Sequence, residues 1–106
     1  MTLDELFQEM ARRFDRQSFS TATSYYFTLG ALPEQKWTVQ LGPDGMSHRQ
    51  GKHSDRADCV LKTSEELFRA MVLGSWMPGA ADFMRGRLKT NDIGLLQRFG
   101  KSFARP

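Results

Sequence analysis

The stretch Ala80-Ala81-Asp82-Phe83-Met84-Arg85-Gly86-Arg87-Leu88-Lys89 reads as two secondary structures joined at one residue. Phe83 and Met84 end a short apolar helical turn, Gly86 breaks it, and Arg87-Leu88-Lys89 alternates as a strand does. Glycine reaches backbone dihedrals closed to other residues, so a switch of this kind sets how a helical layer meets a sheet.

Downstream of this joint the chain shows a pattern of caps and apolar stripes. Arg87–Thr90 is the expected last strand, and Asn91-Asp92 caps a closing helix whose apolar stripe is Leu95, Leu96, Phe99 and Phe103. Upstream, Thr63-Ser64-Glu65-Glu66 reads as a capping box opening a helix over Glu65–Leu73. Leu67 pairs with Met71 and Phe68 with Val72 along it, and Gly74 stops it. Trp76, Met77 and Pro78 begin the short helical piece that runs into the joint.

The first half of the chain is one helix and then strands. Leu3, Leu6, Phe7, Met10 and Phe14 fall at helical spacing behind a Thr2-Leu3-Asp4-Glu5 capping box. Thr21–Leu29 has the Thr, Tyr and Phe content of a strand. Trp37, Val39 and Leu41 alternate with Lys36, Thr38 and Gln40, and Gly42-Pro43-Asp44-Gly45 turns the chain. Met46–Lys52 is a polar third strand suited to an edge, and Ala57–Lys62 a fourth with Ala57, Cys59 and Leu61 on one face. Read in order, these strands form an antiparallel meander within an α+β layer fold, helices on one sheet face.

Composition narrows the function. The 106 residues suit one domain, and 40% apolar with 25% charged residues is a globular balance. No apolar run approaches the roughly 20 residues that span a bilayer. Acids at the N-terminus argue against a signal peptide, and the single Cys59 suits a reducing compartment, so a cytoplasmic protein is expected. The net charge of +3 is uneven: residues 85–106 hold six cations against Asp92, leaving the rest slightly acidic. That basic end could meet phosphates, but with few clustered charges a solvated face explains it better.

Catalytic chemistry finds little support. Cys59 lies mid-strand on an apolar parity, where a free cysteine behaves as a small buried hydrophobe. His48 and His53, with Asp55 and Asp58, carry metal-ligand chemistry, but their five-residue spacing puts the rings on opposite faces of a regular strand. The pairs Asp4/Glu5 and Glu65/Glu66 sit in first helical turns, which the helix dipole accounts for. No phosphate-binding glycine motif is present, and Phe99 and Phe103 have core rather than base-stacking spacing. No enzyme, cofactor, metal or nucleic-acid role is expected. What remains is a surplus of apolar residues in the later helices, which suits either an ordinary core or an apolar cavity.

Ala57-Asp58-Cys59-Val60-Leu61-Lys62-Thr63-Ser64, an apolar helix, Ala81-Asp82-Phe83-Met84-Arg85-Gly86-Arg87-Leu88-Lys89 and a final apolar helix together resemble the sterol carrier protein 2 domain family. That family's pattern is an Ala-Asp strand, a helix, and a Phe-x-x-Gly-Lys/Arg-Leu-Lys segment entering the last strand. The match covers residues 57–103, with Asn91 standing where the family often has Gly. The resemblance implies a five-stranded, mixed and mostly antiparallel sheet, helices on one face, and an apolar tunnel that binds or transfers lipids without catalysis. By position, Phe68, Met71, Val72, Trp76, Met77, Phe83 and Met84 would line the tunnel. Leu95, Leu96, Phe99 and Phe103 would close it, and Trp37, Val39 and Leu41 would form its floor. Arg85, Arg87 and Lys89 would make a polar rim for an anionic head group or a membrane surface. The alternative is a protein-interaction or scaffold module with a filled cavity, as for some bacterial relatives that assist isoprenoid-quinone synthesis.

Overall fold

The structure, a computed structural model, describes residues 1–53, 56–74 and 78–103. Helix α1 spans Leu3–Arg13, and strands β1 to β4 span Thr23–Thr28, Lys36–Gly42, Gly45–Gln50 and Cys59–Lys62. Helices α2, Glu65–Val72, and α3, Ala80–Met84, follow. Strand β5, Lys89–Thr90, and helix α4, Ile93–Lys101, complete the chain. Among the described residues no helix is long and apolar enough to cross a membrane.

The expected local signals act as read at both ends of the chain. The Thr2 hydroxyl accepts from the Glu5 amide at 3.1 Å, and the Glu5 carboxylate accepts from the Thr2 amide at 2.9 Å. The Thr2 amide first, and the Thr2 hydroxyl after it, hold the Glu5 carboxyl below its usual range. Asp92 caps α4 by accepting from the Leu95 amide at 2.9 Å. Gly86 has φ of +74°, and the bonds from its amide to the Phe83 carbonyl and from the Arg87 amide to the Asp82 carbonyl close a Schellman turn. That turn drops Leu88 into the core, 1% exposed.

Three expectations are corrected. The meander ends at β3: the sheet order is β3-β2-β1-β4-β5, and β4 lies parallel to β1 on its far side. The outer strand β3 is half-exposed and polar, so it offers Cys59 and Leu61 little cover, whereas the free edge of apolar β1 buries both completely. Asp58 secures the crossing by accepting from the Ser24 amide at 2.9 Å. At α2 the cap is Ser64, which accepts from the Leu67 amide, so no reciprocal acid stands at the third position. Thr63 instead donates its hydroxyl to the Arg87 carbonyl at 2.8 Å. Strand β5 is two residues long, because Arg87 is bound into the end of α3.

The core lies between the sheet and the helices. Alternation puts Thr23, Tyr25 and Phe27 of β1 and Trp37, Val39 and Leu41 of β2 toward it. Phe7 of α1, Phe68 of α2 and Phe99 of α4 meet these residues, with ring centroids of Phe27 at 6.2, 5.1 and 5.1 Å. Aromatic pairs at such distances add about 0.5–1.5 kcal/mol each beyond area burial.

Candidate functional site

Helix α2 ends at Gly74, whose φ of +80° few other residues adopt. Helix α3 is one short turn with no fully buried residue. Neither can close against the end of α4, and a cleft of about 760 Å³ remains between them. Its apolar wall is Met71, Val72, Leu73, Pro78, Phe83, Leu96, Phe99 and Phe103, and its polar lining is Arg13, Gln97 and Lys101.

Arg13 and Lys101 reach the cleft because the ends of α1 and α4 are stitched together. Phe14 and Phe103 form an antiparallel bridge, and the Asp15 amide donates to the Ser102 carbonyl at 2.7 Å. Arg13 Nε is buried with no hydrogen-bond partner, the one such side-chain nitrogen or oxygen among the described residues. Glu9 Oε1 stands 3.9 Å from it, an ion pair without a hydrogen bond.

The residues expected from the sequence divide into separate places. Met71, Val72, Phe83, Leu96, Phe99 and Phe103 come together in the cleft wall. Phe68 is fully buried behind it, its ring 6.4 Å from that of Phe99. Trp37, Val39 and Leu41 belong to the filled core under α1, where the Trp37 ring lies 5.1 Å from Phe7 and its Nε1 donates to the Glu34 carbonyl at 2.8 Å. Leu95 is half-buried, and its carbonyl accepts from the Tyr25 hydroxyl at 2.7 Å. Met84 is 88% exposed. Trp76 and Met77 lie outside the described residues. Of the expected rim, Arg85 is exposed at the end of α3 and Arg87 pairs with Asp82 at 3.4 Å. Lys89 sits opposite Lys62 in the sheet, on the face away from the helices.

Sequence reasoning missed Arg13 and placed Lys101 only within a basic end that could meet phosphates; each is the last residue of a helix. A cation there complements the helix dipole wherever its side chain leads, so the sequence carries no signal for a shared cleft.

The reactive side chains are spent on structure. Cys59 is fully buried, its sulfur 3.5 Å from the Thr90 hydroxyl, and burial pushes its thiol up, away from the nucleophilic thiolate. His48 Nε2 lies 3.0 Å from Asp4 Oδ1, with its ring packed on Phe7 and Trp37. That pair pins α1 to β3. His53 turns back to the Gln50 carbonyl, so the two rings do not converge. Among the described residues no group of three His, Cys, Asp or Glu side chains could hold a metal ion.

A five-stranded mixed sheet, covered on one face by helices with an apolar cleft between their ends, defines a sterol-carrier-like α+β domain. A sequence profile of the SCP-2 sterol transfer family matches residues 3–104, and the chain belongs to that family. No curated protein sequence matches it. In fold it is similar to the stereoselective inverting sec-alkylsulfatase Pisa1 from Pseudomonas sp., with TM-score 0.84 and 18% identity; the whole chain covers 17% of that protein. It is also similar to UbiJ-SCP2, a ubiquinone synthesis protein, with TM-score 0.67 and 13% identity over 93% of this chain and 83% of that one. A crystal structure of sterol carrier protein 2 matches at TM-score 0.57 and 17% identity, over 92% and 87% of the two chains. At these identities the likeness is one of fold.

Proposed function

We propose that this chain binds a lipid in the cleft between the ends of α2, α3 and α4, and performs no chemistry on it. The observation that carries the reading is the cleft itself, about 760 Å³ walled by Met71, Val72, Phe83, Leu96, Phe99 and Phe103. Small-molecule sites run to roughly 300–1,000 Å³ with apolar walls and a few polar groups. Each methylene enclosed there contributes about 0.8 kcal/mol, so a partly buried acyl chain offsets its ordering cost.

Arg13 and Lys101 supply the polar groups. Arg13 Nε, which lacks a hydrogen-bond partner, favours a ligand with an anionic head, a fatty acid or acyl-CoA before a neutral sterol or isoprenoid. Arg85, two residues beyond the wall residue Phe83, would meet an anionic bilayer during loading. A cytoplasmic setting suits the reduced, buried Cys59.

Native mass spectrometry of the purified protein, with organic extraction, tests the reading through any lipid that co-purifies. A fluorescent fatty acid should bind with micromolar affinity, and Val72→Arg or Phe83→Arg should weaken it at least about tenfold, a loss of some 1.4 kcal/mol. Both positions are only half-buried, so the variants remain folded. Absence of lipid together with absence of fatty-acid binding would sink the carrier reading. The alternative, a protein-interaction module, would then take its place, favoured by the solid packing of Trp37, Val39, Leu41 and Phe68 where a deeper tunnel would run.

A further inference from the structure

The helices lie on one side of the sheet, and the other side carries a pattern of charge that a ligand in the cleft does not use. The strand registers place Lys36 of β2, Thr28 of β1, Lys62 of β4 and Lys89 of β5 in one row across that face. The adjacent row holds Arg49, Thr38, Tyr26 and Val60, with the Lys52 ammonium 5.9 Å from the centre of the Tyr26 ring. Lys62 and Lys89 are directly opposed, and like charges so placed repel.

Nothing in the described structure neutralises this row. Among the described residues, none of Lys36, Arg49, Lys52, Lys62 and Lys89 is in an ion pair. The acid beside this face, Asp58, already accepts from the Ser24 amide and hydroxyl, at 2.9 and 3.2 Å. Lysines on edge strands commonly guard against edge-to-edge pairing, which accounts for Lys89 on β5. It does not account for Lys36 and Lys62, which stand on the inner strands β2 and β4.

We propose that the Lys36–Lys62–Lys89 row docks an acidic α-helix of another protein, laid across the strands on the helix-free face. Neighbouring strands stand about 4.8 Å apart, so Lys36 and Lys62 are separated by roughly 10 Å and Lys62 and Lys89 by about 5 Å. A helix rises about 1.5 Å per residue, so carboxylates at i, i+7 and i+11 fall opposite the three ammonium groups in turn. Nucleic acid fits less well, because Tyr26, the one Phe, Tyr or Trp in the two rows, is occupied by Lys52 and leaves no open platform for a base. A bilayer fits less well too, since Val60 is the only apolar side chain in the two rows and the cleft is bounded by helices on the opposite side. The proposal stands whether or not the cleft holds a lipid.

The test uses an alanine-based helical peptide with Glu at i, i+7 and i+11, its Gln counterpart, poly(U) and phosphatidylglycerol vesicles. Binding to the full chain is followed by fluorescence anisotropy at low salt and by amide NMR shifts. The expected result is binding of the Glu peptide alone, with shifts centred on Thr28, Lys36, Lys62 and Lys89. Lys62→Glu should weaken it about tenfold or more while leaving fatty-acid binding in the cleft unchanged. Lys89→Glu should weaken it likewise and raise the melting temperature, since it turns a repulsive cross-strand pair into an attractive one. Equal binding of the Gln peptide, shifts confined to the helices, or tighter Lys62-dependent binding of poly(U) or vesicles would overturn the proposal.

Discussion

The two halves of the helical layer meet the same sheet and differ in how completely they fill the space above it. Under α1, Leu6, Phe7 and Met10 are at most 1% exposed, and the Phe7 ring packs against Phe27, Trp37 and His48. Between α2, α3 and α4 the side chains are just as apolar, yet a cleft remains. Helix length and termination separate the two halves. Helix α1 runs 11 residues from a reciprocal cap and presents a long stripe, while α3 has five residues and ends at once in the Gly86 turn. A helix of one turn cannot lay a stripe into a groove, so apolar surface stays uncovered where α1 would have covered it. A hollow of this kind arises from interrupted helices rather than from a particular set of residues.

Substitutions can break that contrast, and the largest effect belongs to the filled half. Phe68 packs at tilted angles against Phe7, Phe27 and Phe99 and is fully buried, so Phe68→Ala should cost about 3–5 kcal/mol in urea unfolding. Phe83→Ala, in the half-buried cleft wall, should cost about 1 kcal/mol. Similar values for the two would mean that the cleft is packed in solution.

Tyr25 joins the two halves, with its ring in the core and its hydroxyl on the Leu95 carbonyl of α4. Tyr25→Phe should cost about 1–2 kcal/mol. Burial raises the Tyr25 hydroxyl pKa well above its ordinary value near 10. The folded chain therefore keeps this proton after the unfolded chain has lost it. Stability should be full below about pH 10 and fall as pH rises above it, and Tyr25→Phe should flatten that fall in pH-dependent melting.

The smallest effects belong to the surface. Glu5 has its pKa depressed in the folded chain, so the capping box contributes above the ordinary carboxylate range near pH 4.3 and is lost as pH falls below it. Glu5→Gln should remove that acid dependence. Met84→Ser, at a position 88% exposed, should stay within about 0.5 kcal/mol of the parent and leave fatty-acid binding intact. A larger loss of binding would extend the ligand site beyond the cleft wall.

Much of this was legible in the residues, and the reason differs from element to element. The period of Leu3, Leu6, Phe7 and Met10 tells which face of α1 is buried, and the alternation of Trp37, Val39 and Leu41 does the same for β2. Neither period tells which neighbour a face or edge will meet. Cys59 and Leu61 had to point inward, but whether β4 joined β3 or β1 depended on which edge could bury them. The same blindness hid the cleft, since Phe68 and Phe83 look alike in a helical pattern and one is core while the other is wall.

The sequence by itself determined the order of the elements, the caps of α1 and α4, the Gly86 joint and the inward parity of the strands, because these follow from interactions among residues near one another in the chain. Only the tertiary structure decided that β4 lies parallel to β1, that Arg13 and Lys101 share a cleft, and that Lys36, Lys62 and Lys89 form a row. Those are matters of which distant segments meet, and they depend on competition for buried surface across the whole chain.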